Sequence, residues 1–108
     1  DDDFFFLKVE YQWVRISLKD VLYIESLKDY VKVHLTDSQK TVLSLISLKA
    51  LEEKLPSSRF MRINRSYIVS LDKINSISKN SIFINTTEIT VGEQYKETFK
   101  IIVDRWIN

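Results

Sequence analysis

The sequence predicts a mostly β domain of antiparallel strands, with one short mid-chain helix and one C-terminal helix. Three observations carry that expectation. Short runs in which apolar and polar residues alternate recur along most of the chain, the period of a half-buried strand. Compact polar joints of hairpin type separate them. Helical spacing appears only twice, and no strand is followed by a long crossover helix, so a parallel sheet is not expected.

Taken in order, Phe4 to Glu10 reads as a strand with three aromatic anchors, and Tyr11-Gln12 as a turn. Trp13 to Ser17 alternates Trp13, Arg15, Ser17 against Val14, Ile16. Leu18-Lys19-Asp20 turns the chain into Val21 to Ser26, with Val21, Tyr23, Glu25 opposite Leu22, Ile24, Ser26. After Leu27-Lys28-Asp29, Tyr30 to Leu35 alternates strictly, with Tyr30, Lys32, His34 on one face and Val31, Val33, Leu35 on the other. Thr36 to Gln39 has hairpin composition, and Lys40 to Ile46 returns. Ser47 is placed to cap a helix, its hydroxyl accepting from the first free N–H groups. Leu48, Leu51 and Leu55 form that helix's apolar stripe, and Pro56-Ser57-Ser58 ends it.

Strands Phe60 to Ile63 and Tyr67 to Val69 flank the joint Asn64-Arg65-Ser66. Ile74 to Ser78, Ile82 to Asn85 and Glu88 to Val91 complete about ten strands. Gly92, the only glycine, marks a backbone turn into a terminal helix. There Tyr95, Phe99, Ile102 and Trp106 form a packing stripe.

With 108 residues, 44% hydrophobic and 29% charged, the chain has the size and composition of one globular domain. It lacks cysteine and has a single histidine. That removes disulfides, thiolate chemistry and metal sites built on those ligands. No apolar run approaches the ~20 residues of a membrane-spanning helix. Phe4 to Leu7, preceded by acids, is too short and wrongly flanked for a signal peptide. A cytoplasmic setting is expected. The chain opens on Asp1-Asp2-Asp3 without an initiator methionine. Residues 1–3 therefore read as a linker remnant from an upstream domain, and 4–108 as the domain itself.

Catalysis has little support. There is no Gly-rich phosphate loop, no nucleophile elbow and no HExxH, and Glu52-Glu53 lie outward on a helix. No catalytic residue, cofactor or metal is expected. The joint Asn64-Arg65-Ser66 is more informative. Arg and Asn carry the forked groups that match guanine and adenine edges, and Ser suits a phosphate oxygen. From Arg59 to Lys79, five positive charges face Asp72 alone, in a chain of net charge +1. Phosphate binding needs such an excess; a solvated turn between two strands is the plain alternative. Tyr30, following Lys28-Asp29 at a second joint, is suited to lie on a sugar or base while Lys28 meets a phosphate, or simply to cover core at an edge.

These residues resemble a known family. Val21 to Leu35 is similar to the first signature of the LytTR (LytR/AgrA-type) DNA-binding domain. Ser47 to Pro56 resembles its helix, Phe60 to Ser70 its most diagnostic run, and Ile89 to Lys96 its closing segment. The likeness is collinear over about residues 6 to 100. It implies antiparallel strands in successive small sheets, and a bacterial transcription regulator of two-component response-regulator type. Strand-end loops would enter successive major grooves of promoter DNA, and a receiver or sensor domain would lie upstream. Three loops matter: Lys28-Asp29-Tyr30, Asn64-Arg65-Ser66, and Gly92-Glu93-Gln94 with Lys96.

The family usually has His where Asn64 stands, Asn where Ser70 stands, and often Arg where Glu93 stands. Glu93 either accepts from a cytosine amine or stays away from phosphate; it and Asp29 are left open as contacts. Arg65 is the foremost expected base contact, then Asn64 and Tyr30, with Gln94 in the third loop. Lys28, Arg62, Ser66 and Lys96 are the expected phosphate contacts. The isolated domain is expected to be a monomer acting on directly repeated half-sites, with no membrane contact. The rival reading is a non-catalytic β-module that binds protein or polysaccharide; single-stranded nucleic acid on exposed aromatics is a second.

Overall fold

The computed structural model describes residues 3–37 and 40–107. Asp1 and Asp2 of the expected linker, and Ser38-Gln39 of one expected hairpin joint, lie outside the described residues. Strands β1 (Phe4–Val9) and β2 (Gln12–Ser17) form an antiparallel hairpin. Its turn is Glu10-Tyr11, one residue earlier than the sequence suggests, with Glu10 at a φ of 56°. The hairpin's open end is closed by the Leu18 N–H donating to the Asp3 carbonyl (2.9 Å).

A five-stranded antiparallel sheet follows, from β3 (Val21–Leu27), β4 (Tyr30–Leu35), β5 (Thr41–Ser44), β6 (Phe60–Asn64) and β7 (Tyr67–Ser70), in the order β5-β4-β3-β7-β6. The helix α1 (Leu48–Lys54) connects β5 to β6. Its cap is as the sequence implies: the Ala50 N–H donates to Ser47 Oγ at 3.0 Å, and Leu48, Leu51 and Leu55 are buried. A third, three-stranded sheet has the order β10-β9-β8, from β8 (Ser76–Ile77), β9 (Ser81–Ile84) and β10 (Thr87–Thr90). The chain ends on α2 (Lys96–Ile107).

The central sheet separates two apolar cores, because alternate residues of one strand point to opposite faces. Ile68 of β7 joins Leu7, Ile16, Val31, Val33 and Leu51 beneath the first hairpin and α1. Its neighbour Val69 joins Ile63, Ile82, Ile84, Ile89 and Phe99 beneath the third sheet and α2. Phe60 and Met61 of β6 divide in the same way.

Three sequence expectations need correction. Strict alternation fails in β3, where the register shifts between Val21 and Tyr23. Val21 and Ile24 therefore both face the first core, while Leu22 and Tyr23 pack against the second. Gly92 has φ −68° and ψ 150°, a conformation open to any residue, so chain reversal is not what places it there. Space is: a Cβ at Gly92 would lie 3.2 Å from Tyr95 Cδ2, 3.3 Å from Asn64 Cβ and 3.4 Å from Asn64 Cα. Tyr95, just before α2, and Phe99 and Ile102 within it reach the second core together with Val103, but Trp106 is 50% exposed. The last helical turn reaches Trp106 and Ile107 out to a cleft edged by Leu71, Asn75 and Ile77.

Candidate nucleic-acid interface

The joint Asn64-Arg65-Ser66 is built by β6 and β7 around a two-residue turn, Arg65-Ser66, with Asn64 closing β6. Asn64 holds this tip at both ends of its amide. Its Oδ1 accepts from the Ser66 N–H at 2.7 Å, an Asx-type turn, and its Nδ2 donates to the Thr90 carbonyl at 2.8 Å. Arg62 supports the same turn from the other side. Its Nη2 donates to the Arg65 carbonyl at 2.6 Å and its Nε to the Asn64 carbonyl at 3.4 Å, with Glu52 of α1 at 3.8 Å from Nη1. Of the two guanidiniums at this tip, Arg62 is engaged, whereas the exposed Arg65 side chain has no partner among the described residues.

Backbone bonds set the other two loops on either side of this tip. The Ser26 N–H donates to the Ser66 carbonyl (2.8 Å), fixing the end of β3 beside it, and the Gly92 N–H donates to the Ile63 carbonyl (2.8 Å), fixing the end of β10. The first loop is the tight turn Lys28-Asp29 between β3 and β4, with Lys28 at φ 58°. Lys28, Asp29 and the 46% exposed Tyr30 line a cleft of about 460 Å³ with Arg62, Ser47 and Lys49. On the other side Arg65, Ser66 and Tyr67 line a cleft of about 510 Å³ with Gly92, Glu93, Gln94 and Tyr95. Close packing of Gly92 on Asn64 brings the third loop this near.

The expected site residues thus fall on one row of three loops, with Arg65 at the middle. They are not all equally available. Lys28, Tyr30, Arg65, Ser66 and Gln94 present side chains to solvent. Arg62 and Asn64 are tied to backbone carbonyls. Lys96 donates from Nζ to Glu93 Oε1 (2.8 Å) and to Asn80 Oδ1 (2.9 Å), so Glu93 partly neutralises the cation beside it. Sequence reasoning missed Lys49, Thr90 and Asn80. Each is brought to the row by a tertiary contact, and only the basic character of Lys49 offered any signal.

Behind the tip, a part-buried polar cluster lies beside the second core, where Tyr23 and Tyr67 pack. Glu25 accepts from the Tyr67 hydroxyl at 3.2 Å through Oε2 and lies 2.7 Å from His34 Nε2 through Oε1. The Tyr23 ring stacks on His34 at 4.2 Å. Burial, then the charge and hydrogen bond of Glu25, hold the Tyr67 phenol above the ordinary value of 10.0. His34 is therefore seated between Tyr23 and Glu25, away from the loop row. Among the described residues no cluster of His, Asp or Glu is placed to hold a metal, and no helix is long and apolar enough to cross a membrane.

A mostly β chain of three sheets, with a polar row of strand-end loops along one end, is the class of molecule that this geometry defines. The model of the LytTr DNA-binding domain family matches residues 11–104, and the chain belongs to that family. It is 30% identical over 93 residues to the sensory transduction protein LytT of Bacillus subtilis (strain 168), covering 81% of this chain and 38% of that protein. It is 27% identical over 100 residues to LytT of Bacillus anthracis, covering 87% of this chain and 40% of that protein. The chain therefore spans about two fifths of the length of these curated relatives. Among solved structures, a LytTr DNA-binding domain from Bacillus cereus superposes with a TM-score of 0.77 at 22% identity, covering 95% of this chain and 98% of that one. That likeness shows the shared fold.

Proposed function

We propose that this chain is the double-stranded-DNA-binding output domain of a bacterial transcriptional regulator of two-component type. Its three strand-end loops would read successive major grooves of promoter DNA. Family membership supports DNA binding by a regulator. The observation that carries the finer reading is the Arg65 side chain, unpartnered on a tip that Asn64 and Arg62 hold rigid. The braced backbone needs no ordering on binding, and the guanidinium has no internal partner among the described residues to give up before it makes a bidentate contact to guanine. Tyr30 and Gln94 flank it as further base-facing groups. Lys28 and Ser66 meet phosphate, and Lys96 does so on exchanging Glu93 for a phosphate oxygen. Arg62 and Asn64 act through the turn they brace. Glu93 and Asp29 are excluded from phosphate by their charge.

In this reading the isolated domain is a monomer in the cytoplasm, and the full protein carries a receiver or sensor domain upstream. Pairing on direct repeats then comes from linked binding.

Fluorescence anisotropy with a random duplex pool at two salt concentrations, followed by sequencing of the bound fraction, tests this. The expected result is salt-sensitive binding that enriches a short motif; on a duplex carrying two copies about one helical turn apart, the isolated domain fills each copy independently. Arg65→Ala relaxes selection at one position, at a cost of about 1–3 kcal/mol. Lys28→Ala weakens all sequences alike and lowers the salt slope by about one. Unchanged affinity and preference in Arg65→Ala would remove the central assignment.

A further inference from the structure

The segment that carries the third loop has a second cleft against it. Val91 and Lys96 line it with Lys79 of the β8–β9 turn, Lys100 of α2, and a floor of Ile77, Phe99 and Val103; its volume is about 280 Å³. Three lysines thus surround one small apolar-floored depression. Residues 96, 99, 100 and 103 fall on one side of α2 by helical spacing, so the helix delivers Lys96 and Lys100 to the same wall. The β8–β9 turn is anchored to this wall twice. Asn80 accepts the Val91 N–H through its carbonyl (2.8 Å) and Lys96 Nζ through Oδ1 (2.9 Å). Lys79 at this turn is exposed, and its ammonium has no partner among the described residues.

Two acids flank these lysines. Glu93 pairs with Lys96 at 2.8 Å, and Asp104 with Lys100 at 3.0 Å. Lys100 and Asp104 are 75% and 61% exposed, so that pair is easily exchanged. Against them, the free Lys79 leaves the cleft with net positive charge. Lysines on flexible stems suit a backbone phosphate as point charges and carry no base preference.

We infer that this cleft is a fourth DNA-contacting element, in which Lys79 and Lys100 grip the phosphate backbone just beyond the base pairs met by the third loop. The inference rests on the DNA-binding reading above and extends its footprint past Gln94. The β8–β9 turn then has a role in binding. Asn80 is its positioning residue, coupling the turn to Lys96 without touching DNA.

The test uses the enriched duplex and the double variant Lys79→Gln/Lys100→Gln, both on exposed side chains, with unchanged circular dichroism as the folding control. The wild-type chain should lose affinity when the duplex is shortened on the flank beside the third loop. The variant should bind the full duplex with a salt slope shallower by about 1.8, two contacts at about 0.9 each. It should keep the same base preference and be indifferent to the shortening. An unchanged slope in the variant, with wild-type selection intact, overturns this inference alone. A shallower slope that persists equally on both duplexes overturns the placement of the lysines at the flank. A wild-type chain that binds no duplex takes both readings down.

Discussion

Asn64 braces the tip that carries Arg65. Adenine reading uses its amide oxygen and nitrogen together, and here each already has an internal partner, the Ser66 N–H and the Thr90 carbonyl. The amide ties the middle loop internally and to the end of β10. Asn64→Ala removes two hydrogen bonds and leaves the Thr90 carbonyl without its donor. We expect a loss of about 1–2 kcal/mol of stability, a fall of roughly 4–15 °C in Tm for a domain of this size, and weaker binding spread evenly over sequences. A variant that keeps its Tm and changes preference at one base would restore Asn64 as a reader. The residue types of this site were legible in the sequence, since arginine, amide and hydroxyl at one joint are an uncommon juxtaposition. Which of them is held by the fold and which is left without a partner was not, because one deciding partner, Thr90, lies 26 positions away and only the fold brings it near.

At the scale of strands and helices, local pattern was most reliable where one face alone is buried. Tyr30–Leu35 alternates strictly and forms a strand with those bounds. β3 lies between β4 and β7 and serves both cores, and there the bulge at Val21–Tyr23 shifts the phase, which a period-two reading cannot anticipate. The β3–β7 pairing also carries the Tyr67–Glu25 bond. Tyr67 has its folded-state pKa raised. Its contribution to stability is thus complete below the unfolded value and lost as pH rises through the folded one. Unfolding followed from neutral to strongly alkaline pH should show stability declining above about pH 10, and Tyr67→Phe should reduce that decline. Equal declines in the two proteins would mean that the phenol is not coupled to folding.

At the scale of the whole molecule, the number of strands and the two helices were readable, but the division into two cores was not. Apolar residues on both faces of β6 and β7 look, in sequence, like unbroken runs such as Ile68-Val69. Only the stacking of the hairpin and α1 on one face, and of the third sheet and α2 on the other, separates them. The loop row inherits its rigidity from this arrangement, since each loop leaves a strand buried on at least one side.

The shared central sheet also governs how the molecule comes apart. Its two tryptophans stand on opposite halves: Trp13 on the hairpin over one core, Trp106 near the end of the helix over the other. Trp13→Phe and Trp106→Phe therefore yield two single-fluorophore reporters, one per half. Because Ile68 and Val69 are consecutive yet belong to different cores, β7 cannot withdraw from one without vacating the other. Chemical denaturation followed through either remaining tryptophan should trace one curve, once each variant's own midpoint is normalised against its circular dichroism. The halves would then be a single cooperative unit, and a regulator built on this domain would lose all of its loops at once rather than one at a time.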